Sequence, residues 1–222
     1  MIAFILPIIA VLLGLSLALL FRPAMDNGVR LLLSFSGAFL LSVTIFELLP
    51  EVYGGTTENV GLFIIAGLLT QIFLEFGSKG AEHGHMHHQD SAAFPWLLFS
   101  SLCIHALLEG FPIADNDQLL YGIVVHKIPI AIIISTFLLK SKMSRWKSVL
   151  FLMIFASMTP LGAFAKAVFP ILEEYTTVIN AFVVGVLLHV STTILFESSK
   201  NHQFNASKLG VILLGIVIAY FI

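Results

Sequence analysis

The sequence predicts an all-α, polytopic membrane protein: eight transmembrane helices in one bundle, with both termini extracytoplasmic. Three observations carry this. The 222 residues are 58% hydrophobic and only 11% charged, with a mean hydropathy of +1.00, whereas a soluble domain carries about 25% charged residues. Apolar runs recur at about the 20-residue length that crosses a bilayer as helix. The basic residues are confined to alternate connections, the asymmetry that orients membrane helices. The length fits a single transmembrane domain, 1–222.

The eight runs are 2–21, 29–49, 60–77, 94–113, 118–139, 148–169, 177–199 and 207–222. The first follows Met1 with no basic residue before it and no convincing small-residue cleavage site, so it reads as a retained helix and not a secretory signal. The second closes on Glu47, Pro50 and Glu51, and Glu47 is placed to line an outer entrance. The third holds Glu75 near its inner end, and the sixth holds Lys166; both read as snorkelling side chains. The fourth carries Ser101, His105 and Glu109, with Pro112 beyond. The fifth carries Gly122, His126 and Ile130, with Lys127 and Pro129 alongside. The seventh carries Gly185, His189 and Thr193, with Ser191, Thr192 and Glu197, and its hydroxyls can bond backbone carbonyls. The eighth is short for a span but almost free of polar residues.

Nine of the eleven Lys and Arg residues fall in odd-numbered connections: Arg22, Arg30, Lys79, Lys140, Lys142, Arg145, Lys147, Lys200 and Lys208. The even-numbered ones hold Glu51, Glu58, Asp115, Asp117, Glu173 and Glu174 and no basic residue. Odd connections therefore face the cytoplasm, and the acidic outer face would concentrate cations. The net charge of −2 suggests no nucleic-acid partner. The lone Cys103 rules out an internal disulfide and reads as a small buried residue. Gly14, Gly37, Gly67, Gly110, Gly122, Gly162, Gly185, Gly210 and Gly215 punctuate the runs, where small residues let helices approach closely in lipid.

Ionisable groups inside a bilayer cost roughly 2.5–3.5 kcal/mol each on insertion scales and mark ion paths or catalytic centres. His105 and Glu109 are four residues apart, so they share one helix face, about 6 Å apart along the axis. The connection Ala114–Asp117 falls about midway between His105 and His126, so antiparallel helices bring both imidazoles to one depth. Gly122 is expected at the depth of Glu109, leaving room for the carboxylate or an ion. Imidazole plus carboxylate suits Zn²⁺ and neighbouring divalent ions: Fe²⁺, Mn²⁺, Co²⁺ or Cd²⁺. His189 is a candidate for the same path. The loop 78–93 packs His83, His85, His87 and His88 into six residues, a compositional signal for weak, cytoplasmic metal binding in a flexible segment.

These residues resemble the ZIP (Zrt/Irt-like) divalent metal transporters over most of the chain. The carrying motifs are Glu47-Leu48-Leu49-Pro50-Glu51, His105-Ala106-Leu107-Leu108-Glu109-Gly110, His126-Lys127-Ile128-Pro129 and Pro160-Leu161-Gly162, with the histidine loop after the third helix. The resemblance implies eight helices, outward termini and a multi-pass carrier in the cell (inner) membrane. That carrier brings divalent ions, zinc first, into the cytoplasm by sliding a transport block against a scaffold. It is no enzyme and has no cofactor; its partners are the divalent metal ion and the lipid bilayer, and its oligomeric state is open, a homodimer included. Many members hold two metals. Here Ala106, Lys127, Ile130 and Met158 or Thr159 stand where the second set of ligands belongs, and Ile130 also stands where the first site would take a fourth ligand. The expected site is therefore mononuclear, at His105, Glu109 and His126, with Lys127 supplying the charge of the missing ion. Glu47, Lys127 and His189 are expected along the pathway. Two other readings start from the same residues. One is an intramembrane zinc hydrolase on His105, His126 and His189 with Glu109 as base, although no H-E-x-x-H pair exists. The other is a metal-binding relative that does not transport.

Overall fold

A computed structural model describes residues 1–21, 27–55, 57–78, 94–197 and 206–222. Among them every apolar run becomes helix, and no strand forms. The helices are α1 (Ile2–Phe21), α2 (Asn27–Val43), α3 (Leu49–Gly54), α4 (Val60–Ser78), α5 (Trp96–Leu108), α6 (Asp117–Lys140), α7 (Arg145–Val168), α8 (Pro170–Glu174), α9 (Thr176–Glu197) and α10 (Ala206–Phe221). Five segments are long and apolar enough to cross a membrane: Ile2–Phe21, Gly28–Gly54, Asp117–Lys140, Arg145–Val168 and Thr176–Phe196. Val60–Phe76, Trp96–Leu108 and Ala206–Phe221 are apolar but shorter. Large apolar side chains such as Leu62, Phe73, Met153 and Phe164 point outward, as lipid rather than water would favour.

Two prolines reshape the expected elements. Pro50 cannot donate to the helix, and its ring conflicts with the carbonyl four residues back. The chain answers with a π-helical turn, Thr44–Leu48, that joins α2 to α3 in one rod. Pro112 acts likewise at the end of α5. The run expected to reach 113 leaves the α-helix at Leu108, and Pro112–Ala114 forms a 3₁₀ turn. Asn116 then caps α6, its side-chain oxygen accepting from the Leu119 amide at 2.8 Å. The short α8, after Phe169, was not expected from the pattern.

α4 packs chiefly on α9, α1 on α6, α10 on α2, and α5 on α7. Two crossings depend on paired glycines. A Cβ on Gly67 would meet the Phe182 carbonyl oxygen at 1.8 Å, and one on Gly185 the Ile64 oxygen at 1.9 Å, so α4 and α9 touch backbone to backbone. Gly110 and Gly162 do the same for the α5 end and α7, each with a backbone oxygen 2.2 Å from the missing Cβ. The close-approach reading fails at Gly210, which has nothing within 4 Å. Gly122 faces Val43 and Leu40 of α2 at 3.5 and 3.6 Å, not the Glu109 carboxylate, because the neighbouring rod occupies that side of α6.

The apolar interior divides in two. One cluster, with Leu102, Ile134, Phe151 and Phe155, lies towards the α6–α7 connection. The other, with Leu40, Val43, Ile123 and Val184, lies towards the α5–α6 connection. His105, Glu109, His126 and Lys127, all buried, lie where the two clusters adjoin.

Candidate metal centre

The end of α5 and the middle of α6 meet at this level. The His105 and His126 rings stand edge to face, centroids 6.2 Å apart. His105 Nε2 lies 3.6 Å from Glu109 Oε2, as helical spacing requires. One ligand atom from each of His105, Glu109 and His126 lies within 4.8 Å of the others, and all three residues are buried. A small cavity beside them is walled by Leu102, Ile130, Phe155 and Val190. Ile130 thus contributes an aliphatic wall where a fourth ligand was sought.

The two oxygens of Glu109 have different surroundings. Oε1 takes an ion pair with Lys127 and accepts from Thr159 Oγ1 at 2.8 Å. Oε2 is buried and makes no hydrogen bond. A carboxylate oxygen left so in an apolar interior is costly, and this one faces the His105 ring. Lys127 is itself only 2% exposed, and its ammonium lies 4.8 Å from the centre of the Phe155 ring, a cation–π contact. The Gly110–Gly162 crossing brings Thr159 this near, and its single hydroxyl proton is shared between Glu109 Oε1 and the Ala106 carbonyl, 2.9 Å away. Thr159, not Met158, therefore faces the site from α7.

Gln71 on α4 completes the surroundings. Its Oε1 lies 3.3 Å from His105 Nδ1. A carbonyl oxygen there accepts Nδ1–H and leaves Nε2 its lone pair on the side of Glu109, the usual outer support of a metal-binding histidine. A lone Gln in the run 60–77 is the only sequence signal for it.

The remaining candidates lie elsewhere. His189 Nε2 bonds Glu75 Oε2 at 2.5 Å, so it does not join the other two histidines, and a three-histidine hydrolase centre is not assembled. Glu75 and Lys166 each find a partner on a facing element. Lys166 is buried and pairs with Asp115 at 2.6 Å. Glu47 is half-buried in the π-helical turn, outside the ligand group. The hydroxyls of α9 bond carbonyls as expected, Thr193 Oγ1 to His189 at 2.8 Å among them. His83, His85, His87 and His88 lie outside the described residues, as does the side chain of Glu197.

The family model described as ZIP zinc transporter matches residues 77–222. The chain belongs to the ZIP zinc transporter family. The match runs from the end of α4 through α10 and includes every residue of the His105–Glu109–His126 trio. Gln71 and Glu75 of this ZIP protein lie before it. No curated protein matches the chain. Family membership makes it a multi-pass membrane protein of a metal-transporting family, whose members are transporters rather than enzymes.

Proposed function

We propose that the chain carries one divalent transition-metal ion at a time into the cytoplasm, zinc first, through His105, Glu109 and His126. The observation that carries this reading is the division of Glu109: one oxygen saturated by Lys127 and Thr159, the other bare and facing an imidazole. A metal at the bare oxygen has two imidazoles and one carboxylate oxygen, and water fills the open position. Three protein ligands suit a carrier, which must bind firmly enough to load and weakly enough to release.

Lys127 explains why one ion suffices. With neutral histidines the empty site sums to zero, one carboxylate against one ammonium. That neutral assembly is cheap to keep in an apolar interior, where an unpaired Glu109 would not be. A second cation at Oε1 would have to displace the ammonium. The eight apolar helices are read as eight spans, with the basic connections on the cytoplasmic side, both termini outside and the protein in the cell membrane. The histidine loop then faces the cytoplasm as a weak acceptor of released ions.

The test is metal uptake into proteoliposomes by wild type, His105→Ala and His126→Ala. The carrier reading requires uptake by wild type and its loss in both variants; equal uptake by all three would end it.

A further inference from the structure

Four of the eleven Lys and Arg residues fall within eight positions of the α6–α7 connection: Lys140, Lys142, Arg145 and Lys147. All four are exposed. No Asp or Glu occurs between Asp117 and Glu173, so neither helix supplies an acidic residue near this charge. α7 opens at Arg145 with no acidic residue in its first turn. Arg145 and Lys147 there meet the positive end of the helix dipole, a repulsion that an outside anion relieves. The turn itself is fixed. Met143 is buried in the apolar cluster of Leu138 and Phe151. Ser141 Oγ donates to the Leu138 carbonyl at 2.8 Å and accepts from the Met143 amide at 3.3 Å. With Met143 anchored inward, the basic side chains on either side of it are left outward.

The surroundings are those of a bilayer surface. The two tryptophans of the chain, Trp96 and Trp146, are 69% and 72% exposed. Trp146 lies inside the basic cluster. Trp96 opens α5 beside it, because Phe94 and Phe99 pack on Phe151 of α7 with ring centroids 5.9 and 5.0 Å apart. Indole rings concentrate at the headgroup level of membranes. Leu139, Val149 and Leu150, next to the basic residues, are exposed as well, so charge gives way directly to lipid-facing surface. We infer that the α6–α7 connection binds the headgroups of anionic phospholipids. The basic side chains take the phosphates, as such clusters at membrane-helix ends do, and the acyl chains lie along Leu139, Val149 and Leu150. A soluble anion would match the charge but leave the indoles and the bordering apolar side chains unused. The proposed orientation makes this the cytoplasmic leaflet, while the binding itself is independent of the transport reading. The patch anchors the ends of the two helices that carry His126 and Thr159.

The test uses the full chain with Trp96→Phe, which leaves Trp146 as the fluorophore. The protein is reconstituted into vesicles of phosphatidylcholine with about 20% phosphatidylglycerol. Bromine, a fluorescence quencher, is placed on the acyl chains of one lipid or of the other. Brominated phosphatidylglycerol is expected to quench Trp146 as if its local share were about 3-fold its bulk share. The excess is expected to vanish in Lys140→Gln/Lys142→Gln/Arg145→Gln/Lys147→Gln and to persist in Lys140→Arg/Lys142→Arg/Lys147→Arg. Salt at about 0.5 M NaCl is expected to shrink it. Inorganic phosphate at matched ionic strength is expected to remove no more than NaCl does. Quenching at the bulk share in the parent chain, or an excess that survives the four Gln substitutions, would overturn the proposal. Removal by phosphate beyond the NaCl effect would overturn it too, assigning the patch to a soluble anion.

Discussion

His105–Glu109 and His189–Glu75 use the same two residue types in opposite ways. The first lies on one helix, fully enclosed, and needs an internal cation to hold its carboxylate: Lys127, braced by Phe155. The second joins two helices, remains partly reachable, and is held by a direct contact of 2.5 Å between its members. The difference shows what burial demands. Where water is excluded, charge must be balanced by neighbours before a ligand can arrive; where some access remains, a single hydrogen bond is enough.

The largest effect should come from the ligands themselves. Glu109→Gln and His126→Ala are expected to reduce tight metal binding by more than the roughly 10–100-fold that outer-shell changes cost, measured by Co²⁺ titration. Removing the balancing cation comes next. Lys127→Met leaves Glu109 buried and unpaired, and loss of one partner from a buried pair costs about 3–5 kcal/mol. Thermal unfolding in detergent should show that loss, and Lys127→Met/Glu109→Gln should recover stability without recovering uptake. Full stability in Lys127→Met alone would mean that the pair is not the brace described here.

Gln71→Leu and Thr159→Val probe the outer support of the trio. Each should weaken metal binding by about 10–100-fold while leaving the fold intact. No change in affinity would reduce both contacts to packing. The glycines give a contrast that ends in the smallest effect. Gly162→Ala should cost about 1–3 kcal/mol, because its Cβ would overlap the Leu107 carbonyl. Gly210→Ala, with open space around it, should stay within about 0.5 kcal/mol of wild type.

The trio was legible because its signals are local or nearly so: a four-residue spacing on one helix, and matched depth across a short connection. The membrane class followed from composition, and the helices lie close to the apolar runs. What escaped depends on docking between distant helices. Gln71 and Thr159 are two of the few polar residues in their apolar runs, and nothing in a run shows which neighbour each will face. The partners of Glu75 and Lys166 were hidden for the same reason, being 114 and 51 positions away in sequence, at His189 and Asp115. Glycine type was readable, but pairing was not: Gly67 with Gly185 and Gly110 with Gly162 support crossings, while Gly210 supports none. The family's pattern narrowed the α7 position to Met158 or Thr159, and only helix rotation decides between them.

The central claim is a single tight ion at His105, Glu109 and His126. Equilibrium Co²⁺ titration of the protein with its four loop histidines changed to Ser tests it most directly. One tight equivalent with a histidine–carboxylate absorption spectrum, lost in His126→Ala, is the expected result. Two tight equivalents, or one that His126→Ala leaves untouched, would contradict it.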